Sequence, residues 1–342
     1  MSNNSDTGRK LKSRTTSAQV AELAQVSQSA VSRAFTPGAS VAPSTREKVM
    51  QAAQELGYRP NAIARSLISG RSRMIGLLAA YLDNQFYPIV VERLGRALQA
   101  HGYHTLLFIT EDGDSDQQLE KLLSYQVDAV VMLSATLSSA LARECRDAAI
   151  PVVLFNRDVP DSLSSSVVSD NEAGGRLVGN HLLDTGHKRI AYIAGDEDSS
   201  TNRDREAGFT QALADRGQRV YARRVGGYSF DGAVVATEQL MQLADPPDAI
   251  FVANDYMAFA VMDTLRIKLG ISVPEQVAVV GFDDVPQAGW DAYSLTTVVQ
   301  PTDQLIEATV SLLLDQLKTG EAVTQRHCLP VTLVKRNSTQ PG

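Results

Sequence analysis

The chain has 342 residues, a formal net charge of −7, 44% hydrophobic and 21% charged residues. That is enough for two or three domains with a buried core, and it excludes a disordered or collagen-like chain. Cys145 and Cys328 are too few for a disulfide framework or a four-thiolate zinc site. No run approaches the roughly 20 apolar residues of a membrane span. The polar, basic start MSNNSDTGRKLKSRTT has no apolar run behind it and does not read as a secretory signal. A cytoplasmic protein with no membrane partner is therefore expected.

Charge is uneven along the chain. Residues 1–73 carry 11 Lys+Arg against 4 Asp+Glu, a net of +7, and the remainder carries 21 against 35, a net of −14. A basic head on an acidic body suggests a polyanion-binding module fused to another function. Residues 1–15 read as a flexible basic arm. Thr16-Ser17-Ala18-Gln19 fits a capping box, which starts a helix with Val20, Leu23 and Ala24 on one face. Gln25-Val26-Ser27 forms a turn, and Ser27 caps a second helix from Gln28 to about Phe35 with Ala30, Val31 and Ala34 inward. Thr36-Pro37-Gly38 stops it. A third helix has Pro43 at N1, runs Ser44 to Leu56, and buries Val49, Ala52, Ala53 and Leu56. Three such helices make a helix-turn-helix unit whose second helix enters the major groove. Gln28 and Ser29 point outward at its start, with Arg33 a turn on. Gln pairs bidentately with adenine and Arg with guanine. The competing reading is a small helical bundle without nucleic acid.

VAELAQVSQSAVSRAF, TREKVMQAAQELGYRPNAIARSL and SRMIGLL closely resemble the lactose-repressor/galactose-repressor (LacI/GalR) family, and the resemblance continues through nearly the whole chain after residue 15. Thr36 stands where Asn is usual after the recognition helix, and Ala42 where a Ser often caps the third helix. Asn61 to Ser69, closed by Gly70, is a short helix candidate that is marginal alone. The resemblance implies a hinge helix that pairs with its dimer mate in the minor groove, with Leu67 as an apolar wedge; without it the segment reads as a linker. The implied DNA-facing set is Thr16, Ser17, Ser27, Gln28, Ser29, Ser32 and Arg33 in the head, and Asn61, Ala64, Arg65 and Leu67 in the hinge.

From residue 74 apolar runs alternate with amphipathic stretches. Strands are expected at Met74–Ala80, His104–Ile109, Ala129–Leu133, Val152–Phe155, Ile190–Ala194, Val220–Val225, Ala249–Val252 and Val277–Val280. Helices are expected at Tyr87–Ala100, Asp116–Tyr125, Ser138–Ala148, Glu172–Asp184, Asp204–Asp215, Ser229–Leu243 and Tyr256–Leu269. After residue 296 come a strand, a helix (Thr302–Leu317) and a last strand (Leu329–Val334). The fold class is thus an N-terminal all-α helix-turn-helix head plus an α/β body of two parallel-sheet lobes. The resemblance implies periplasmic-binding-protein-like architecture with a cleft between the lobes. The domains are an arm at 1–15, a helix-turn-helix domain at 16–60, a hinge and linker at 61–73, and an effector-binding and dimerisation domain at 74–342. Lobe one covers about 74–168 and 301–328, lobe two about 169–300 and 329–342.

Ligands of open α/β sheets bind beyond the carboxyl ends of strands. The residues there are Tyr81, Asp83, Asn84, Phe86, Tyr87, Thr110, Ser134, Asn156 and Arg157 in lobe one. Lobe two offers Asp196, Ser199, Thr201, Arg205, Asn254, Asp255, Asp283 and Asp284. Carboxylates and amides grip vicinal hydroxyls, and aromatic faces take the C–H side of a sugar, so the set suits a small polyol. A purine is the alternative, since Phe86 and Tyr87 offer faces to a flat ring. TNRDREAGF, VANDYMA and VVGFDD match family segments that reach the effector, here through Arg205, Asn254 and Asp283; in DNQFYP, Gln85 replaces a common Pro. The expected effector-binding set is Tyr81, Phe86, Tyr87, Asn156, Arg157, Ser199, Thr201, Arg205, Asn254 and Asp283. Asp255 reads as a helix N-cap rather than a ligand contact, Asn84 as a turn former or a contact, and Arg157 as a contact or a surface ion pair.

No GxxxxGK[ST], HExxH or GxSxG occurs. Glu172-Ala-Gly-Gly-Arg-Leu-Val-Gly179 reads as close helix packing, and His101, His104 and His187 as caps or surface groups. No enzyme, cofactor or metal site is expected. The expected function is a ligand-responsive regulator, a repressor of carbohydrate or related metabolite genes, binding a pseudo-palindromic operator. Its partners are operator DNA, a sugar, sugar acid or related metabolite, and a second copy in a homodimer. The short polar tail after Val334 argues for a dimer over a tetramer. A sugar-binding protein without a DNA role and an α/β sugar enzyme are the alternatives.

Overall fold

The computed structural model describes residues 15–36, 38–59, 71–110, 114–133, 138–159, 163–321 and 323–339. They divide into two units, Met1–Ser72 and Arg73–Gly342. In the first, α1 (Ser17–Ala24), α2 (Gln28–Ala34) and α3 (Pro43–Glu55) surround a small core of Val20, Ala24, Val31, Ala34, Val49, Ala52 and Ala53. The Thr16 capping box forms as its sequence predicts. Ala21 takes the inward place expected of Leu23, which is exposed. Ala42 makes no side-chain cap at α3, so the helix relies on Pro43 at its start. The Arg46 guanidinium instead caps the end of α2 at the Ala34 carbonyl.

The second unit holds two sheets. Sheet one, in the order β11-β5-β4-β3-β1-β2, is parallel throughout: β1 Met74–Ala79, β2 His104–Ile109, β3 Ala129–Leu133, β4 Val152–Phe155, β5 Ser165–Ser169 and β11 Arg326–Leu329. Sheet two runs β12-β10-β9-β8-β6-β7, from β6 Ile190–Ala194, β7 Ala222–Val225, β8 Ala249–Val252, β9 Ala278–Asp283, β10 Thr296–Val299 and β12 Thr332–Val334. Only β12 is antiparallel. Helices cover both faces. In lobe one these are α4 (Phe86–Ala100), α5 (Ser115–Leu123), α6 (Ser139–Asp147) and α11 (Thr302–Thr319). In lobe two they are α7 (Asn171–Asp184), α8 (Ser200–Asp215), α9 (Phe230–Met241) and α10 (Asp255–Asp263). Strand β1 shows why its residues read as one apolar run. Ile75, Leu77 and Ala79 face one core, while Leu78 faces the core of Leu119, Leu122, Val130 and Met132.

The structure corrects several sequence boundaries. β5 was not expected from its Ser-Ser-Val-Val-Ser composition, yet all five residues are buried. Its hydroxyls are satisfied at long range: Ser165 donates to the Val323 carbonyl (2.8 Å), Ser166 to Asp158 (3.1 Å) and Ser169 to Gln300 (2.8 Å). The expected last strand Leu329–Val334 is two strands. β11 ends at Leu329 on sheet one, and β12 begins at Thr332 on sheet two. β9 runs on to Asp283, α8 starts a turn early at Ser200, and α10 ends at Asp263 and continues as one π-helical turn, Thr264–Lys268. The glycine-bearing stretch 172–179 packs helices: a Cβ on Gly175 would sit 2.1 Å from the Arg205 carbonyl, and one on Gly208 1.9 Å from that of Glu172.

Candidate functional site

The carboxyl ends of the two sheets face each other across a cleft, and lobe two brings charge to it. The first turn of α8 is pinned to β6, because Asn202 Oδ1 accepts from the Tyr192 hydroxyl and the Gly195 N–H, both at 2.8 Å. That anchoring sets Arg205. Its Nε donates to Asn171 Oδ1 (2.9 Å), one terminal N–H donates to the Ala253 carbonyl (2.5 Å), and the other lies 3.7 Å from Asp283 Oδ1. The guanidinium carbon stands 3.6 Å from the Phe282 ring centroid. Asp283 ends β9 at φ 134°, followed by Asp284 at φ 54°, an uncommon backbone path for non-glycine residues. The Asp283 carboxylate accepts from Asn84 Nδ2 (3.2 Å) and Gln300 Nε2 (2.7 Å). Burial raises its pKa, against the pull of Arg205, Gln300 and Asn84.

Lobe one contributes neutral groups. Tyr81, at φ 56°, donates to Asp196 (3.4 Å) and meets Tyr228 edge-on, 5.9 Å between centroids. Asn84 both shapes its turn, accepting from the Phe86 N–H (3.1 Å), and bonds Asp283. Asn156 Nδ2 donates to the Tyr87 hydroxyl (3.4 Å), and Asn156 Oδ1 is buried with no donor among the described residues. On the facing side the Thr201 hydroxyl bonds Ser199 (2.7 Å) and Tyr228 (2.9 Å). Tyr81, Asn84, Tyr87, Asn156, Thr201, Arg205, Tyr228, Asn254 and Asp283 enclose about 270 Å³ of space, part of it open to solvent.

Seven of the expected effector residues thus share one cavity: Tyr81, Tyr87, Asn156, Thr201, Arg205, Asn254 and Asp283. Three do not line it. Phe86 borders another hollow with Ile89, Arg93 and Pro286, because one helical step before Tyr87 turns a side chain by about 100°. Ser199 caps α8, and Arg157, buried rather than on the surface, reaches across to the Ser199 hydroxyl. Asn254, not Asp255, is the N-cap of α10, with Oδ1 accepting from the Met257 N–H (3.0 Å). Asp255 is fully buried one residue on. Sequence reasoning missed Tyr228, Asn171 and Gln300. Tyr228, an aromatic three residues past β7, and Gln300, directly after β10, carried the strand-end signal; Asn171 follows β5, a strand the sequence did not show. Among the described residues no group of three or more His, Cys, Asp or Glu side chains could hold a metal ion.

In the head, Ser27 caps α2 through the Ala30 N–H (3.2 Å) and bonds the Ser29 hydroxyl (2.9 Å). Gln28 Nε2 donates to the Ser17 hydroxyl of α1 (2.7 Å). Thr16, Ser27, Gln28, Ser29 and Arg33 are exposed, and Ser17 and Ser32 half-buried, around the start and outer face of α2. Asn61, Ala64, Arg65 and Leu67 lie outside the described residues, as does Ser134.

A helix-turn-helix unit on the same chain as a two-lobe α/β body with a polar cleft defines the class of ligand-responsive transcriptional regulators. Comparison with known proteins agrees. Residues 18–61 match the model of bacterial regulatory proteins of the lacI family, and residues 180–339 that of a periplasmic binding protein-like domain. The chain is 36% identical to the HTH-type transcriptional regulator CelR of Thermobifida fusca, over 94% of this chain and 95% of that protein. It is 32% identical to the HTH-type transcriptional repressor PurR of Vibrio vulnificus (strain CMCP6), over 88% and 92%. Among solved structures, it superposes on the lac repressor dimer bound to operator and the anti-inducer ONPF with TM-score 0.85 and 30% identity, covering 96% of this chain and 99% of that one. For a CelR–cellobiose complex the TM-score is 0.71 at 33% identity, covering 95% and 100%. The chain belongs to the lacI family of bacterial regulatory proteins. The family consists of transcriptional regulators rather than enzymes, and among the described residues no helix is long and apolar enough to cross a membrane.

Proposed function

We propose that this regulator binds a neutral sugar between its lobes and, as a cytoplasmic, nucleoid-associated homodimer, represses transcription from a pseudo-palindromic operator read by α2. The observation that carries the ligand assignment is Asn156, whose amide is buried in the cavity wall with one end unpartnered. Turning the amide over exchanges which end that is. An unmet buried polar group costs about 1–3 kcal/mol, and a ligand hydroxyl, both donor and acceptor, meets it in either orientation. Arg205 and Asp283 balance each other's charge, which favours a neutral polyol over a sugar acid. Of the three tyrosines lining the cavity, Tyr81 and Tyr228 meet at 65°, and Tyr87 meets Phe86 at 82°, so neither pair presents parallel faces to a flat purine. CelR, the relative solved with cellobiose, makes cellobiose the first probe. The space within the cavity lining is small and partly open solvent, so a disaccharide requires the lobes to part.

In the head, Gln28, Ser29 and Arg33 carry base and phosphate contacts, and Asn61, Ala64, Arg65 and Leu67 supply the hinge contacts in the minor groove. A thermal-shift screen of cellobiose, ribose, glucose, gluconate and hypoxanthine tests the ligand. A specific sugar at 100 times its Kd adds about 2.7 kcal/mol of stability. Stabilisation by hypoxanthine alone would overturn the sugar assignment. A DNA mobility-shift assay with salt titration tests the head: Arg33→Ala weakens operator binding by about 1–3 kcal/mol per protomer if it reads a base.

A further inference from the structure

Asp255 does none of the work its sequence position suggests. It neither caps α10 nor lines the cavity, yet its carboxylate is fully buried between three strand-end segments. Oδ1 accepts from the Thr297 hydroxyl on β10 at 2.6 Å, and Oδ2 accepts from the Val285 N–H at 3.0 Å. β9 passes it only at a glycine, since a Cβ on Gly281 would lie 2.2 Å from Oδ1. Val285 directly follows Asp283 and Asp284, the two residues with positive φ. Such conformations persist only where their surroundings fix them. One fixed point is the ion pair of Asp284 with Arg336 (2.7 Å). The bond from the Val285 N–H to Asp255 is another, beside the Asn84 and Gln300 bonds that hold the Asp283 carboxylate.

We propose that Asp255 is a positioning residue for effector recognition: clamped between Thr297 and the Val285 amide, it holds the Asp283–Asp284 turn so that the Asp283 carboxylate meets the ligand. The effector part rests on the cleft reading above; the clamp does not. The charged groups acting on Asp255 are both acidic, Asp283 on β9 and Asp284 in the turn, and together with burial they push its carboxyl up to about 8 against the pull of its two donors. The clamp survives that proton. A protonated Oδ1 donates to Thr297, whose hydroxyl rotates to accept, and Oδ2 still takes the Val285 N–H. Asparagine reproduces this neutral form. Alanine and a Thr297→Val variant do not, one losing both arms and the other one arm.

Two measurements on the full chain decide it. The first needs no ligand: hydrogen exchange of residues 281–290. Asp255→Asn should keep the wild-type protection at Val285. Asp255→Ala should lose it at least about tenfold, with Thr297→Val between them and amides of sheet one unchanged. Unchanged protection in Asp255→Ala, or equal loss in Asp255→Asn, overturns the clamp. If Asp255→Ala does not fold, Thr297→Val and Asp255→Asn decide by the same criteria. The second is cellobiose titration by calorimetry across pH 6.5–9. Asp255→Asn should bind within about threefold of wild type, and Asp255→Ala about tenfold or more weaker. Wild-type affinity should fall as pH rises through 8, because a bound sugar removes water from Asp283 and favours the proton on Asp255; Asp255→Asn should be flat. Parallel pH profiles for wild type and Asp255→Asn would overturn the effector role. A wild type that binds no sugar counts against the cleft reading and so the effector role, while exchange still decides the clamp.

Discussion

The charged side chains that line the cavity, Arg205 and Asp283, both come from lobe two, while lobe one lines it with two tyrosines and two asparagines and sends one cation, Arg157, across to the Ser199 hydroxyl. The division has a physical reason. A buried ion pair costs several kcal/mol of desolvation per ion, recovered only in a rigid site that satisfies the remaining donors and acceptors. Arg205 and Asp283 sit in one lobe, with Asn171, Ala253 and Gln300 completing their hydrogen bonds. Parting the lobes therefore leaves the ion pair whole. It breaks the bonds that cross between the lobes, among them Asn84 to Asp283, Tyr81 to Asp196 and Arg157 to Ser199, which water replaces at little cost. Lobe two is thus the preformed grip and lobe one the part whose contacts depend on closure, so a ligand shifts the balance by bridging them.

The sharpest way to break this comparison is Arg205→Ala. Removing one partner of a buried pair should cost about 3–5 kcal/mol, read as a lower urea midpoint for the body. A loss under about 1 kcal/mol would show that the charges are not structural to lobe two. Next is Asp283→Asn, which keeps the shape and removes the charge. Sugar binding should weaken by about 1.5–3 kcal/mol, measured by calorimetry, and the uncompensated Arg205 charge should lower the urea midpoint as well. Tyr81→Phe on lobe one should weaken binding by about 0.5–1.5 kcal/mol and leave the urea midpoint unmoved; a shift in unfolding would make lobe one as preformed as lobe two.

A further contrast is in pH. Burial lowers the pKa of His181 below 6.5, where its ring bonds the Thr339 hydroxyl at 2.9 Å. The unfolded chain therefore takes up a proton that the folded one resists, and this contribution to stability is lost as pH falls below 6.5. Asp255 works in the opposite direction. Its folded pKa lies above the unfolded value, so its contribution is full at low pH and lost as pH rises from about 4 to 8. Melting curves of His181→Gln and Asp255→Asn against wild type at pH 5.5 and 8 should separate the two slopes.

The strands were legible where burial is apolar on both faces. Runs such as Ala129–Leu133 and Ala249–Val252 carry their own signal. β5 did not, because its serines are buried by partners as distant as Val323 and Gln300. The site divides in the same way. Residues just past a strand, such as Tyr81 and Asn156, are found by counting from the strand end. Gln300 is also the first residue past its strand, β10, and reaches the site because β10 lies beside β9; the clamp at Asp255 is different, and forms only because Val285 and Thr297 meet there. Phe86 shows the opposite failure: a residue with suitable chemistry and position, turned the other way by the first turn of α4.

The split of the last strand bears on how the chain is made. During synthesis β5 stays the bare edge of sheet one until β11 leaves the ribosome, although the two pair from Arg326 with Ser166 to Leu329 with Ser169. β10 likewise waits for β12, which pairs from Thr297 with Val334 to Val299 with Thr332. Lobe one is completed only at β11, after all of lobe two but its last strand has been translated. A nascent chain stopped before Arg326 leaves β5 and β10 uncovered, and no single cut releases either lobe as a finished fragment.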